Sequence, residues 1–326
     1  MVSYLTEELV RLGHDVTLLA SGDSITSAKL EAITPKALRL NKDIISCEAP
    51  LISLLERAFG SAAQEYDMIH SHLDFLGFPL IRRCATPVLT TIHGWVDIPE
   101  VRPVFTEFAE IPIVSISHAQ RMIFPFANWM GTVHHGIPEE LFTFHGTSSH
   151  YLVFIGRICR DEGVEDAIHL AIRAKIPLKI IGRVDPHDRT YVRDVLEPLL
   201  HEELIEYLGE VSDPVKHEVL GHAQALVCSS LWPEAFGVVV IEALACGTPV
   251  LGYNRGSLPE LIDSGVTGYV CEDVEEMIAM VPHVARLHRH TCRSTFEKRF
   301  TVNRMATDYL NMYRALADTK QRTNTG

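Results

Sequence analysis

Several signatures are missing from this 326-residue chain, and each absence removes a class of function. There is no Cys-x-x-Cys, and the seven cysteines are scattered without an even framework. That argues against a disulfide scaffold and for a reducing, cytosolic setting. No apolar run reaches the roughly 18 residues of a spanning helix, and no secretory leader pattern is present. The expected location is cytoplasmic, with at most peripheral contact at the inner face of a membrane. No Gly-x-Gly-x-x-Gly follows a strand, which argues against a dehydrogenase. Basic residues are also few, 29 against 42 acidic, for a net charge of −13. General nucleic-acid binding needs a basic footprint that this balance does not supply. The most basic run, with Arg289, Arg293, Lys298 and Arg299, is expected to be a solvated helix face.

What is present is enough for two domains, each with a core: 326 residues, 47% of them hydrophobic. The most informative stretch is 226–253, LVCSSLWPEAFGVVVIEALACGTPVLGY. It reads as strand, loop, helix and strand, with the helix running from Gly237 to about Cys246. Gly247 and Pro249 supply the stop. A helix opening directly from a loop presents unpaired N–H groups and the positive end of its dipole, a ready anion site. Glu234 precedes that helix end and Glu242 lies roughly 8 Å beyond Gly237 at about 1.5 Å per residue. Two acids so spaced suit a long ligand with hydroxyls at both ends and an anion between them, such as a nucleotide-diphospho-sugar. A lone pair of glutamates would more simply be one buried acid and one solvated loop residue; the surrounding residues argue otherwise.

The run PEAFGVVVIEALACGTPV, followed by RGSLPELIDSGVTGYV (Arg255–Val270), resembles the retaining glycosyltransferases of family 4, the group 1 glycosyltransferases. The resemblance implies an α/β class and the GT-B fold, two Rossmann-like domains facing across a cleft. It further implies that Glu234 touches the donor sugar hydroxyls. The loop Ala235–Phe236 and the amides of Gly237 and Val238 hold the diphosphate, and Glu242 binds the ribose. The family's Gly-Arg, four residues, Lys-Gly pattern falls on Gly156-Arg157, with Arg157 toward the diphosphate. The row reads GRICRDEG, so Glu162 stands where the family has Lys. Arg160 could substitute for that Lys, the donor site could be weakened, or the chain could be a poor catalyst. Backbone near Val211 would pair with the nucleotide base. His93, ending the strand of TTIHGW, would be a hydrogen-bond partner of the reacting sugar.

The alternation of short apolar strands with helices indicates parallel sheets covered on both faces. The expected domains are an acceptor-side domain over 1–142, a nucleotide-sugar domain over 143–295, and a helix returning to the first domain within 296–326, ending in a disordered polar tail from Asp318. A Rossmann-type domain opens with a strand and a glycine-rich turn. Here the chain opens as a helix, with Val2, Leu5, Leu9 and Leu12 at helical spacing. That first strand is expected to lie upstream of the stated start or to be missing from a fragment. His70 and His72 without a third ligand read as strand-end polar residues, not a metal site. Lys216 reads as solvated.

The reading is a retaining hexosyl transfer from a UDP- or GDP-sugar to a sugar, lipid or small-molecule acceptor hydroxyl. No cofactor is expected, and the absence of Asp-x-Asp implies no metal. Two other classes stay open: a degenerate nucleotide-sugar-binding relative without turnover, and a glycoside hydrolase using Glu234 and Glu242 as its acid/base pair.

Overall fold

The computed structural model describes residues 1–324. They form two compact units, residues 1–136 with the C-terminal segment from Val302, and residues 137–301. The first break therefore falls at Gly136, ahead of residue 142.

The first unit opens with helix α1 (Val2–Arg11). Strands β1 (Thr17–Ser21) and β2 (Lys29–Thr34) form a parallel pair. A second parallel sheet, in the order β3-β4-β5-β6, consists of β3 (Ile69–Ser71), β4 (Val88–Ile92), β5 (Ile113–Ser115) and β6 (Trp129–Thr132). Every residue of β4 is buried, as expected for a strand covered on both faces. Successive side chains point to opposite faces, so Val88 and Ile92 join an aromatic cluster with Phe59, Phe78, Phe105 and Phe124. Leu89 faces the other way, into a cluster with Leu5 of α1 and Met305, Ala306 and Tyr309 of the C-terminal helix. That helix runs Val302–Asn324. Its polar end continues the helix past Asp318, contrary to the expected disorder. Residues 325–326 lie outside the described residues.

The second unit is one six-stranded parallel sheet. Its strands are β7 (Leu152–Ile155), β8 (Leu178–Ile181), β9 (Ile205–Gly209), β10 (Ala225–Cys228), β11 (Val250–Tyr253) and β12 (Gly268–Cys271). Their spatial order is β12-β11-β10-β7-β8-β9, which is the doubly wound arrangement with its reversal between β7 and β10. The helices that matter below are α2 (Val164–Ala174), α3 (Asp213–His222), α4 (Val238–Cys246) and α5 (Arg289–Arg299). Buried Ile241, Ala243, Leu244, Ala245 and Cys246 make α4 apolar nearly all round, the pattern of a helix enclosed by its domain.

The basic run on α5 is solvated only in part: Lys298 is exposed, whereas Arg289 and Arg293 turn inward. Arg289 is buried and its guanidinium donates to the carbonyls of His145 (2.6 Å), Ala223 (2.9 Å) and Gly221 (2.5 Å) and to Thr248 Oγ1 (2.7 Å). Arg293 donates to the carbonyls of Phe142 (3.2 Å) and Ala245 (2.9 Å). The planar fork with five donors lets one side chain satisfy carbonyls from several loop ends at once.

Candidate active site

The site in the second unit is built where β10 ends. The chain leaves Cys228, crosses the loop 229–236 and enters α4 at Gly237, whose φ is +74°. Glycine adopts this left-handed conformation without a Cβ penalty. It lets the chain turn straight into the helix with no side-chain cap on the first turn. The early N–H groups of α4 thus face the pocket side.

The loop carrying Glu234 is held from behind. Ser257 N–H donates to the Glu234 carbonyl at 3.0 Å. A Cβ on Gly256 would lie 2.3 Å from that carbonyl oxygen and 2.5 Å from the Glu234 nitrogen. Only glycine permits this approach, which accounts for the Arg-Gly-Ser of the second motif. From the other side, the Asp161 carbonyl accepts from Leu231 N–H (2.8 Å) and from Ser230 Oγ (3.3 Å). Phe236 is buried, edge-on to Phe300 with ring centroids 6.4 Å apart, so its side chain anchors the loop to the core while Ala235 stays half-buried.

A cavity of about 180 Å³ opens here, lined by Glu162, Ser229, Ser230, Glu234, Gly237 and Val238 among others. At about 30 Å³ per water, that is room for about six waters, enough for one part of a long ligand. Burial raises the Glu234 carboxyl above its usual range. The Glu162 charge adds to this, and a hydrogen bond from Ser230 and the Arg157 charge oppose it. Glu162 therefore lies in the pocket beside Glu234. It also pairs with Arg157, Nε to Oε1 at 3.1 Å. Arg160 points elsewhere: its guanidinium lies 5.1 Å over the Tyr191 ring.

Glu242 projects from the second turn of α4. Its partner is Lys216 of α3, Nζ to Oε1 at 3.1 Å, and Lys216 also reaches Asp213 at 3.3 Å. Lys216 is thus a paired, largely buried residue, not the solvated one its sequence context suggested. Burial raises the Glu242 carboxyl, against the Lys216 charge. Val211 lies in the loop between β9 and α3. Gly156 directly follows β7, the central strand of this sheet.

His93 belongs to the first unit, directly after β4. Its backbone N–H donates to Asp74 Oδ1 at 2.7 Å, and its ring Nε2 lies in hydrogen-bond contact with His72 Nδ1 at 2.9 Å. The array extends further. His135 stacks on His93 at 5.4 Å, and the ring of His70 bonds both Tyr313 Oη and Thr91 Oγ1 at 2.7 Å. His70 and His72 are therefore members of a hydrogen-bonded array in which His70, His72 and His93 are half-buried and His135 is buried. Sequence gave no sign of His135, Tyr309 and Tyr313 as its other members, because the C-terminal helix supplies the tyrosines.

Burial holds His70 down to about 3, and His72 and His135 well below the ordinary imidazole range. The unfolded imidazoles titrate near 6.5. Depressed folded values mean that the unfolded chain binds protons the folded unit refuses. Stability is therefore complete above about pH 6.5 and falls as the pH drops from there toward 3. The slope is about 1.4 kcal/mol per pH unit for each such histidine. Urea melts between pH 7.5 and 5 should show this fall, and His70→Gln should flatten it. A pH-independent midpoint would contradict the array.

Comparison with known proteins fits these features. The family model "Glycosyltransferase Family 4" matches residues 1–142 and "Glycosyl transferases group 1" matches residues 142–293. The chain belongs to this glycosyltransferase family, and its fold is GT-B. It is similar to an uncharacterised glycosyltransferase of Methanocaldococcus jannaschii, 24% identical over 310 residues covering 81% of this chain and 78% of that one. With several other curated relatives the match spans about half of their length. Among solved structures, sucrose-phosphate synthase from Thermosynechococcus elongatus superposes with a TM-score of 0.78 at 19% identity, covering 98% of this chain and 93% of that one. HepE of Anabaena, in complex with UDP and glucose, gives 0.72 at 17% identity, covering 96% and 95%.

Proposed function

We propose that the protein transfers a hexose from a nucleotide-diphospho-sugar to an acceptor hydroxyl with retention of anomeric configuration, without a metal or a cofactor. The observation that supports this best is the uncapped, glycine-opened N-terminus of α4 with Glu234 before it and Glu242 within it. Backbone N–H groups and a helix dipole suit a diphosphate. Glu234 binds the sugar hydroxyls and Glu242 the ribose. The amides of Gly237 and Val238, with Arg157, take the charge that develops on the leaving diphosphate. Gly156, Ala235, Phe236 and Val211 shape the surrounding backbone, Val211 toward the base. The acceptor hydroxyl attacks the face that the diphosphate leaves, and the departing oxygen takes its proton. His93 positions the sugar as a neutral imidazole, the form its burial favours. A UDP or GDP donor is in keeping with the UDP complex of HepE. Membership of a glycosyltransferase family sets the glycoside hydrolase reading aside.

A second reading, a donor site weakened in this chain, is favoured by the Glu162–Arg157 pair. Glu162 adds a negative charge where phosphate oxygens are to sit and draws Arg157 toward itself. Both effects disfavour a diphosphate. Glu162→Gln removes one charge at short range and should tighten UDP or GDP binding about tenfold, read by calorimetry across a panel of nucleotides and nucleotide sugars. In the same panel, released nucleotide reports turnover and proton NMR reports the anomer of the product. Weaker binding by the Gln variant would mean that Glu162 orients Arg157 productively. An inverted product would overturn the mechanism.

A further inference from the structure

Three side chains of the second unit that the proposed transfer does not use come together at the end of α3. Glu218 and His222 stand four residues apart on that helix, so they share one face, one turn apart. His145 reaches the same spot from the segment ahead of β7. One ligand atom from each of the three, a ring nitrogen or a carboxylate oxygen, lies within 4.8 Å of the others. His145 Nε2 is 3.9 Å from Glu218 Oε2, and His222 Nδ1 is 3.3 Å from Glu218 Oε1 and 3.0 Å from the Glu218 carbonyl. None of the three is among the residues lining the donor cavity.

The surroundings hold this arrangement in place. His145 N–H donates to the Cys246 carbonyl at 3.0 Å, and the His145 carbonyl accepts from Arg289 Nε at 2.6 Å. Ser149 N–H, in the same segment, donates to the His222 carbonyl at 2.8 Å. The His145 ring lies over Gly221, where a Cβ would come within 2.3 Å of its Cδ2, so the ring keeps its seat because residue 221 has no side chain. The rings of His145 and His222 stand 4.2 Å apart between centroids, tilted by 56°. Two positively charged rings so close repel each other. As neutral rings they offer two nitrogen lone pairs instead. These face a carboxylate at the C-terminal end of a helix, where the dipole favours a cation.

We propose that His145, Glu218 and His222 bind one divalent transition-metal ion, zinc foremost, with water completing its coordination. Two imidazole nitrogens and one carboxylate oxygen suit zinc better than magnesium or calcium, which take oxygen ligands. In a tetrahedral zinc site neighbouring ligand atoms stand about 3.3 Å apart. The three groups reach that spacing by side-chain rotation, chiefly of Glu218, which is exposed. The ion acts as a clamp that ties the segment carrying His145 to α3. It touches neither the donor nor the reacting atoms, and the transfer chemistry needs nothing from it.

The test titrates the full, metal-stripped chain with zinc chloride by calorimetry and with cobalt chloride by visible absorption. The expected result is one ion per chain with a Kd below about 10 μM. Cobalt ligand-field bands should be displaced by zinc and not by a large excess of magnesium. Zinc should also slow hydrogen exchange in 142–150 and 213–222 together. Loss of a ligand costs at least what loss of its supporting partner does, about tenfold or more. His145→Ala, His222→Ala and Glu218→Gln should each weaken binding by that factor, while His187→Ala, at an exposed histidine outside the site, should bind as the parent does. Glu218→Gln decides the matter if either alanine variant folds poorly, because its side chain is exposed. The absence of a one-to-one site would overturn the proposal. Parent-like affinity in Glu218→Gln and His222→Ala would overturn it equally, by placing the ion on other histidines.

Discussion

Glu234→Gln is expected to lower kcat/KM for the donor by about 10²–10³, the usual effect of removing one preorganised polar group from a developing transition state. The carboxylate sits in a cavity lined by Glu162, Ser230 and the opening of α4. Its loop is fixed by the Ser257 hydrogen bond and by the close approach of Gly256. Gln keeps the shape of the side chain but replaces one acceptor oxygen with a donor. Sugar hydroxyls that donate to both oxygens lose one bond and meet a mismatched group. Nucleotide alone should bind the variant normally, because Glu242 and the helix end are untouched. The measurement is the pair of numbers, kcat/KM for nucleotide sugar and Kd for UDP or GDP. Equal losses in both would place Glu234 in phosphate or ribose binding instead.

The second large effect is on stability. Arg289→Met should destabilise the second unit by about 3–5 kcal/mol, because one side chain satisfies three carbonyls and a hydroxyl in a buried setting. Met fills much of the volume and supplies no donor, so the carbonyls of His145, Gly221 and Ala223 lose their partner together. For a domain of this size the melting temperature should fall by about 10 °C. Arg289→Lys should recover only part, since one ammonium cannot span the same acceptors. A Met variant that melts within about 2 °C of the parent would show that those carbonyls find other partners.

Local chemistry made α4 legible in advance. Gly237, Gly247 and Pro249 mark its ends, and the apolar run between them reads as a buried helix. The apolar residues Phe296, Phe300, Met305, Tyr309, Met312 and Tyr313 form a stripe near the end of the chain; the first four are buried and the last two half-buried. What sequence could not show are partnerships made by distant segments. Arg289 looked like part of a solvated basic run because its carbonyl ligands come from residues 145, 221 and 223. Lys216 looked solvated because Glu242 lies 26 residues away. His70 looked like a strand end because its partner Tyr313 is 243 positions further on. Glu162 was conspicuous as a charge in the wrong place, yet its sequence could not reveal the ion pair with Arg157. Periodicity and turn chemistry are local signals, whereas the pairing of charged and polar side chains is decided by which loops the sheet order brings together.

The central claim is that a nucleoside diphosphate seats on the opening of α4. The most direct measurement is a titration of the labelled protein with UDP and with GDP, following backbone amide resonances. One of the two should saturate, and the amides of Gly237 and Val238 should move most, with Glu242→Ala weakening the same titration. If neither nucleotide binds at millimolar concentration, or if the largest shifts fall away from the first turn of α4, the proposed donor site is contradicted.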